Sequence, residues 1–261
     1  MVAIDRTQQI GLLLSAAEWG KIKRGKSHEK VHLYVAAAKK YNIKVVFFRL
    51  QDISFSKSTV RGHYKQGKKW VVKRTSLPLV IHNRARFAMS KKAALRKLRR
   101  KGVYVYNGWN RYGKWKIHRL LSNGFAEHMP VTRPFSRLNL IYFLRFSSFF
   151  LKPNDGSVGI GIIKVNKMKM NRWQVVSQHR AGTNTKQLTK AKLMTYLTRY
   201  AGKRKYLLQQ TIPLLTYRQS PFDIRVSVQK NSGGEWQVTG MVAKIARKRR
   251  FLSNVAQGGK V

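Results

Sequence analysis

Apolar residues fall into short continuous runs, and between the runs lie stretches where they recur at helical spacing. Gln9 to Leu14 is the first such run and reads as a strand. Val31, Tyr34, Val35, Ala38 and Tyr41 follow a helical period, with Ser27 placed to cap that helix and Asn42 to end it. Ile43 to Phe48 is unbroken apolar sequence, as in a parallel strand covered on both faces. Strand, helix, strand in this order predicts an α/β opening. Gln66-Gly67, between Thr59–Val60 and Trp70–Val72, reads as the turn of a short hairpin. Leu79 to His82 and Val103 to Tyr106 are two more strands. Between them, Ser90 is placed to cap a helix over Lys91–Lys101 that Gly102 stops, with Leu95 and Leu98 on its inner side.

Trp115, Ile117, Leu120 and Leu121 predict a helix closing at Gly124. Met129-Pro130-Val131-Thr132 reads as a boundary, because proline stops the preceding helix, and it divides the chain into domains 1–128 and 129–261. Ser136 is placed to cap Arg137–Phe146, whose apolar face is Leu140, Ile141 and Leu144. Trp173 to Ser177 is a strand, Leu188 to Tyr200 a helix, and Tyr206 to Gln210 a strand. Asp223–Lys230 and Trp236–Ile245 form an antiparallel hairpin over Asn231-Ser232-Gly233-Gly234. The strand period of two turns Ile224, Val226 and Val228 toward a core, and Asp223, Arg225, Ser227 and Gln229 to the other face.

Charge changes the picture. Fifty-five Lys and Arg stand against eight Asp and Glu, a formal +47. No acid occurs between Asp52 and Glu127, or between Asp155 and Asp223. Most cations therefore lack a carboxylate, which points either to a polyanionic partner (nucleic acid, an acidic polymer or an anionic surface) or, since the charge is spread along the whole chain rather than in one patch, to a general compositional depletion of acids. The predicted Lys91–Lys101 helix, with seven basic residues, reads either as a phosphate-backbone contact or as a solvated face. The absence of cysteine excludes disulfides and thiolate metal sites. No signal peptide is visible, and the longest apolar region, Leu138 to Leu151, is broken by Arg145 and too short to span a bilayer. The expectation is an intracellular, cytoplasmic protein without a membrane span.

The most informative stretch is Leu151-Lys152-Pro153-Asn154-Asp155-Gly156-Ser157-Val158-Gly159-Ile160-Gly161. A strand from Ser148 ends in a lysine and a proline, a loop with three glycines follows, and a second strand leaves over Ile160 to Val165. Glycine allows backbone N–H groups to approach a phosphate closely, and the lysine adds a mobile positive charge. The stretch reads as a lid over phosphates or, alternatively, as a glycine-rich hairpin turn. It is neither a Walker loop nor a dinucleotide fingerprint, because no Gly-Lys-Ser/Thr follows and a strand stands where a helix is needed.

Several motifs in order resemble the ATP-grasp superfamily, most closely its endospore coat-associated YheC/YheD-type branch. They are Leu79-Val80-Ile81-His82-Asn83-Arg84, Tyr106-Asn107-Gly108-Trp109-Asn110, Gly113-Lys114-Trp115, Met129-Pro130-Val131-Thr132, and Leu151 through Gly161. Tyr206 to Ile212, Phe222-Asp223-Ile224-Arg225-Val226, Trp236 to Gly240, and Ser253-Asn254 before Gly258-Gly259 complete the set. The resemblance covers nearly the whole chain. It implies an α+β / α/β protein: an N-terminal pre-ATP-grasp α/β domain, then an ATP-grasp domain lacking its last segment.

The resemblance further implies an ATP-dependent carboxylate–amine (or thiol) ligase working through an acylphosphate. Lys114 and Lys152 would be the paired phosphate lysines, and Gly156, Ser157 and Gly159 the lid. Gln210 and Thr211 would sit at the hinge reading the adenine edge, Asp223 would face the nucleotide, Arg225 the phosphates or acceptor, and Asn254 the reacting phosphate. Gln210 stands where many members carry Glu, and Lys244 where Arg is usual. Mg²⁺ is expected from the family, but its carboxylate and Asn ligands would lie past Gly258-Gly259, beyond Val261, so none is found in this chain. The alternatives are a non-catalytic coat-associated protein keeping the fold, and a basic nucleic-acid or polyanion binder. An acidic acceptor peptide or polymer would reconcile the charge with ligase activity.

Overall fold

The computed structural model describes residues 8–85, 91–156, 159–179, 182–202, 204–247 and 260. The chain divides into two compact units, Met1–Arg111 and Tyr112–Val261. This division lies ahead of the expected one between 128 and 129, and it groups the helix containing Lys114 with the second unit.

In the first unit, β1 (Gln9–Leu14) is the centre of a parallel core, with β2 (Lys44–Arg49) on one side and β6 (Val80–Asn83) on the other. β7 (Tyr104–Tyr106) extends the parallel set beyond β6. β3 (Ile53–Ser54), β4 (Thr59–Gln66) and β5 (Lys69–Ser76) add an antiparallel flank, giving seven strands in the order β3-β4-β2-β1-β6-β7 with β5 on β4. The β1 and β2 side chains alternate between two cores. Leu13, Val46 and Phe48 pack with Leu95 and Leu98 of α3 (Lys92–Arg100). Leu12, Leu14, Val45 and Phe47 pack with Trp19 of α1 (Ala16–Lys23) and with partly buried residues of α2 (Val31–Lys39).

Local chemistry explains the element ends. Ser15 caps α1 by accepting from the Glu18 N–H at 3.1 Å. This helix had no apolar period strong enough to be predicted. Ser27, expected to cap α2, instead donates to Glu18 and accepts from the Glu29 N–H, and the α2 N-cap is Lys30. The expected Ser90 cap lies outside the described residues. Gly62 is required by close approach, since a Cβ there would lie 2.4 Å from Val46 Cγ1. Two of the few acids make ion pairs with arginines here: Glu29 with Arg84 and Asp52 with Arg49, each at 2.6 Å.

In the second unit, α4 (Lys114–Phe125) precedes a six-stranded antiparallel sheet. It runs past the expected stop at Gly124, and its Ile117, Leu120 and Leu121 are exposed. The sheet order is β12-β11-β10-β9-β13-β8, from β8 (Thr132–Pro134), β9 (Ser148–Pro153), β10 (Ile163–Lys167), β11 (Arg172–His179), β12 (Gly182–Thr189) and β13 (Tyr206–Gln210). One sheet face presents Phe149, Leu151, Ile163, Val165 and Leu208 to α5 (Arg137–Phe143) and α6 (Lys190–Ala201), which bury Leu140, Phe143, Leu193 and Leu197. Ser136 caps α5 as expected, accepting from the Asn139 N–H, while Ile141 turns out to be exposed.

A separate ribbon follows: β14 (Thr216–Tyr217), β15 (Ser220–Lys230) and β16 (Trp236–Ile245). The hairpin is as predicted, but among the described residues no core forms behind Ile224, Val226 and Val228. Ile224 is 63% exposed, and Val226, Val228, Val238 and Met241 are also open. So small a sheet buries an apolar face only against another layer, and no described element supplies one.

Candidate functional site

The site grows from the sheet face that the helices leave uncovered. Because side chains alternate, Leu151 and Leu208 go to the core while Phe150, Lys152, Leu207 and Gln209 stand on the opposite face. Register aligns a row across four strands there: Lys164 opposite Phe150, Phe150 opposite Gln209, and Gln209 opposite Thr132. Beside this row is a cavity of about 230 Å³, lined by Lys114, His118, Thr132, Lys152, Gly156, Gly159 and Gln209 among others.

Lys152 Nζ donates to Gln209 Oε1 at 2.5 Å, Gln209 Nε2 donates to Thr132 Oγ1 at 2.9 Å, and Thr132 Oγ1 donates to the Pro130 carbonyl at 2.9 Å. Each donor and acceptor in this relay has one orientation, so the ammonium is fixed in place. Lys152 also sits over the Phe150 ring, 4.6 Å from its centroid. Burial, and then the Lys114 charge, bring its pKa down to about 8.

Lys114 is the first residue of α4, and its ammonium reaches into the glycine loop. It donates to the carbonyls of Pro153 (2.8 Å), Asn154 (3.4 Å) and Gly156 (2.8 Å). Burial lowers its pKa, opposed by Asp155. Asn154 completes the loop: its carbonyl accepts from the Lys114 N–H, and its Oδ1 from the Trp115 N–H. Two ammonium groups thus face one small cavity with no carboxylate in its lining, an arrangement that suits an anion with several oxygens.

His118 is one turn beyond Lys114 and lines the same cavity. Burial lowers its pKa, and its Nδ1 is buried without a protein partner. Lys164, on the Phe150 row, is likewise lowered by burial.

Of the residues singled out in the sequence, Lys114, Lys152, Gly156 and Gly159 come together here. Ser157 and Asn254 lie outside the described residues. Gln210 and Thr211 do not line the cavity. Gln210 exchanges bonds with Val131, and the Thr211 N–H donates to Ser148, while Thr211 Oγ1 is buried without a partner. Gln209, one residue earlier, faces Lys152 instead. Asp223 and Arg225 share a face of β15, opposite Lys244 and Val242 of β16, and are absent from the cavity lining. Sequence reasoning missed Phe150, Gln209, His118 and Thr132. Strand parity counted from Lys152 would have found Phe150, and one helical turn counted from Lys114 would have found His118, but only the pairing register brings in Gln209 and Thr132.

Magnesium prefers hard oxygen ligands, commonly carboxylates. Among the described residues no three His, Asp or Glu side chains cluster to hold a metal. No helix among the described residues is long and apolar enough to cross a membrane.

A family model described as "YheC/D like ATP-grasp" matches residues 102–261. Endospore coat-associated protein YheD of Bacillus subtilis (strain 168) is 24% identical over 224 residues, covering 82% of this chain and 49% of that protein. YheC of the same organism, also named as endospore coat-associated, is 22% identical over 254 residues, covering 92% of this chain and 69% of that protein. The chain thus spans about half the length of YheD. Among solved structures, D-alanyl-alanine synthetase A from Vibrio cholerae aligns with a TM-score of 0.50 at 12% identity, over 94% of this chain and 69% of its own. N5-carboxyaminoimidazole synthetase from Staphylococcus aureus, solved with ADP, aligns at 0.51 and 10% identity, over 94% and 57%. At these identities the structural likeness is one of fold.

Proposed function

The chain belongs to the YheC/D-like ATP-grasp family, and from that premise we propose that the open sheet face of its second unit binds the phosphates of ATP. The observation that carries this reading is the convergence of Lys114 and Lys152 on one carboxylate-free cavity beneath the glycine loop. At about 230 Å³ the cavity suits a phosphate group better than a whole nucleotide, since sites for larger ligands run to roughly 300–1,000 Å³. Gln210 and Thr211 serve as the hinge beside the adenine through groups other than their N–H atoms, which donate to Val131 and Ser148. The pre-ATP-grasp domain lies within residues 1–128, and residues 129–261 together with α4 act as the ATP-grasp domain.

The reaction class is carboxylate activation. A substrate carboxylate oxygen attacks the γ-phosphorus, the bond to the β–γ bridging oxygen breaks, and ADP leaves. An amine or thiol then attacks the acyl carbon of the acylphosphate and expels inorganic phosphate, with one proton lost from the nucleophile. Lys152 neutralises charge on the phosphates, and Gly156 to Gly159 cover them. Lys114 exchanges its loop carbonyls for a phosphate oxygen. The family resemblance assigns Asp223 to the nucleotide, Arg225 to the phosphates or acceptor, and Asn254 to the reacting phosphate. Association with the endospore coat follows the two named relatives.

Titration of ATP and ADP, with and without Mg²⁺, into wild type and Lys152→Met tests the site. A charge-assisted contact is worth about 1.5–3 kcal/mol, so affinity should fall roughly 10- to 100-fold. Equal affinities would remove Lys152 from the site. Hydroxylamine trapping of acylphosphates with a panel of carboxylates tests the reaction. Nucleotide binding without trapped product would favour a non-catalytic coat-associated protein.

A further inference from the structure

A second cavity, of about 430 Å³, meets the glycine loop at Asn154. Its lining includes the aromatic residues Trp115, Phe135 and Tyr206, and Lys116, Arg204 and Lys205 also line it. No carboxylate lines it, and the three cations are solvent-exposed. This contrasts with Arg49 and Arg84 of the first unit, each held by its own acid. Three like charges around the cavity raise the local positive potential and favour an anion. Arg204 and Lys205 follow the C-terminal end of α6, where cations are stabilised by the helix dipole. Lys116 gains nothing in that way, because it sits in the first turn of α4, where a cation is disfavoured.

We propose that this cavity binds an organic carboxylate with an aromatic or branched aliphatic body, at a site separate from the Lys152 cavity, and that its occupation is felt at the glycine loop. The rings accept the body, and the three cations accept the carboxylate. Asn154 couples the two cavities. Its N–H donates to the Lys205 carbonyl at 2.9 Å, its Oδ1 accepts from the Trp115 N–H at 2.9 Å, and its carbonyl accepts from the Lys114 N–H at 3.1 Å. A ligand that shifts Trp115 or Lys205 therefore moves the carbonyls that hold the Lys114 ammonium. None of this depends on what the Lys152 cavity binds.

The test uses N-acetyl-L-phenylalanine as the probe, its uncharged amide as the control, and the full chain. Calorimetry should show the acid binding at least tenfold more tightly than the amide. The Arg204→Glu/Lys205→Glu double variant, verified as folded by its thermal transition, should lose the acid at least tenfold, and Lys152→Met should retain it. In wild type, the backbone amide resonances of Asn154 and Gly156 should shift on saturation. Equal binding of acid and amide, no binding at 10 mM, or unshifted loop resonances would overturn the proposal. Loss in Lys152→Met with retention in the double variant would also overturn it, by placing the carboxylate in the lysine cavity.

Discussion

Lys152→Met should make the unliganded protein more stable at neutral pH while it weakens the site. Burial and the neighbouring Lys114 charge hold Lys152 at about 8, against 10.5 for the ordinary side chain. Between those values the unfolded chain binds more protons than the folded one, so stability rises with pH across that window. At about 1.4 kcal/mol per unit, the buried charge costs the fold on the order of 3 kcal/mol at pH 7. That cost shrinks as pH rises through 8 and vanishes above 10.5. Methionine removes the charge at similar length, but it leaves Gln209 Oε1 without the Lys152 donor, about 1–2 kcal/mol in the other direction. The expected net gain is about 1–2 kcal/mol at pH 7, turning into a loss of about the same size above pH 10.5. Urea unfolding of both proteins at pH 7 and pH 10 measures it. The general repulsion of a +47 chain is nearly common to both proteins and cancels in the difference. A stability difference that stays constant over this range would refute the account of Lys152 as a desolvated, charge-crowded ammonium.

Gln209→Leu should break the relay to Thr132, lower phosphate affinity several-fold by releasing Lys152, and leave the fold intact by circular dichroism. Leu208→Ala, its neighbour on the buried face, should instead cost about 2–5 kcal/mol in chemical denaturation, whereas Val226→Ser on the exposed ribbon should stay within about 0.5 kcal/mol. Gly62→Ala should destabilise the first unit by about 1–3 kcal/mol, because the added methyl meets Val46, with a lowered thermal midpoint as the readout. Burial pushes Asp52 up, but the Arg49 guanidinium, the Arg49 N–H and the Arg49 and His63 charges outweigh it, so its pKa is net lowered. Its contribution is therefore present above about pH 4 and lost as pH falls through the depressed value, and Asp52→Asn should flatten that part of the acid-unfolding curve.

Much of the fold was legible because its strands are short apolar runs and its longer helices carry caps or a clear period. Gln9–Leu14, Tyr206–Gln210 and the hairpin from Asp223 to Ile245 are within a few residues of their predicted bounds. What failed did so for identifiable reasons. α1 has too few apolar positions to show a period, and β12 is a polar, exposed strand that looks like a loop. The site was half legible. Lys152 and the glycines stood out by type and spacing and Lys114 only through the family resemblance, but Gln209 differs from Gln210 only by strand parity, and parity has no chemical signature until a register is known.

The sequence by itself determined most of the strands and the longer helices, the apolar residues available for burial, and that a lysine would stand at the mouth of a glycine loop. It also determined the surplus of positive charge. Only the tertiary structure decided which sheet face the two helices would cover, and hence that Lys152, Phe150 and Gln209 would remain on the open one. The pairing of β9 with β13 and of β13 with β8 set Gln209 between Lys152 and Thr132, and the packing of α4 brought Lys114 to the loop carbonyls. These are long-range choices. They depend on which surfaces bury the most apolar area together, and a local pattern of residues carries no record of that.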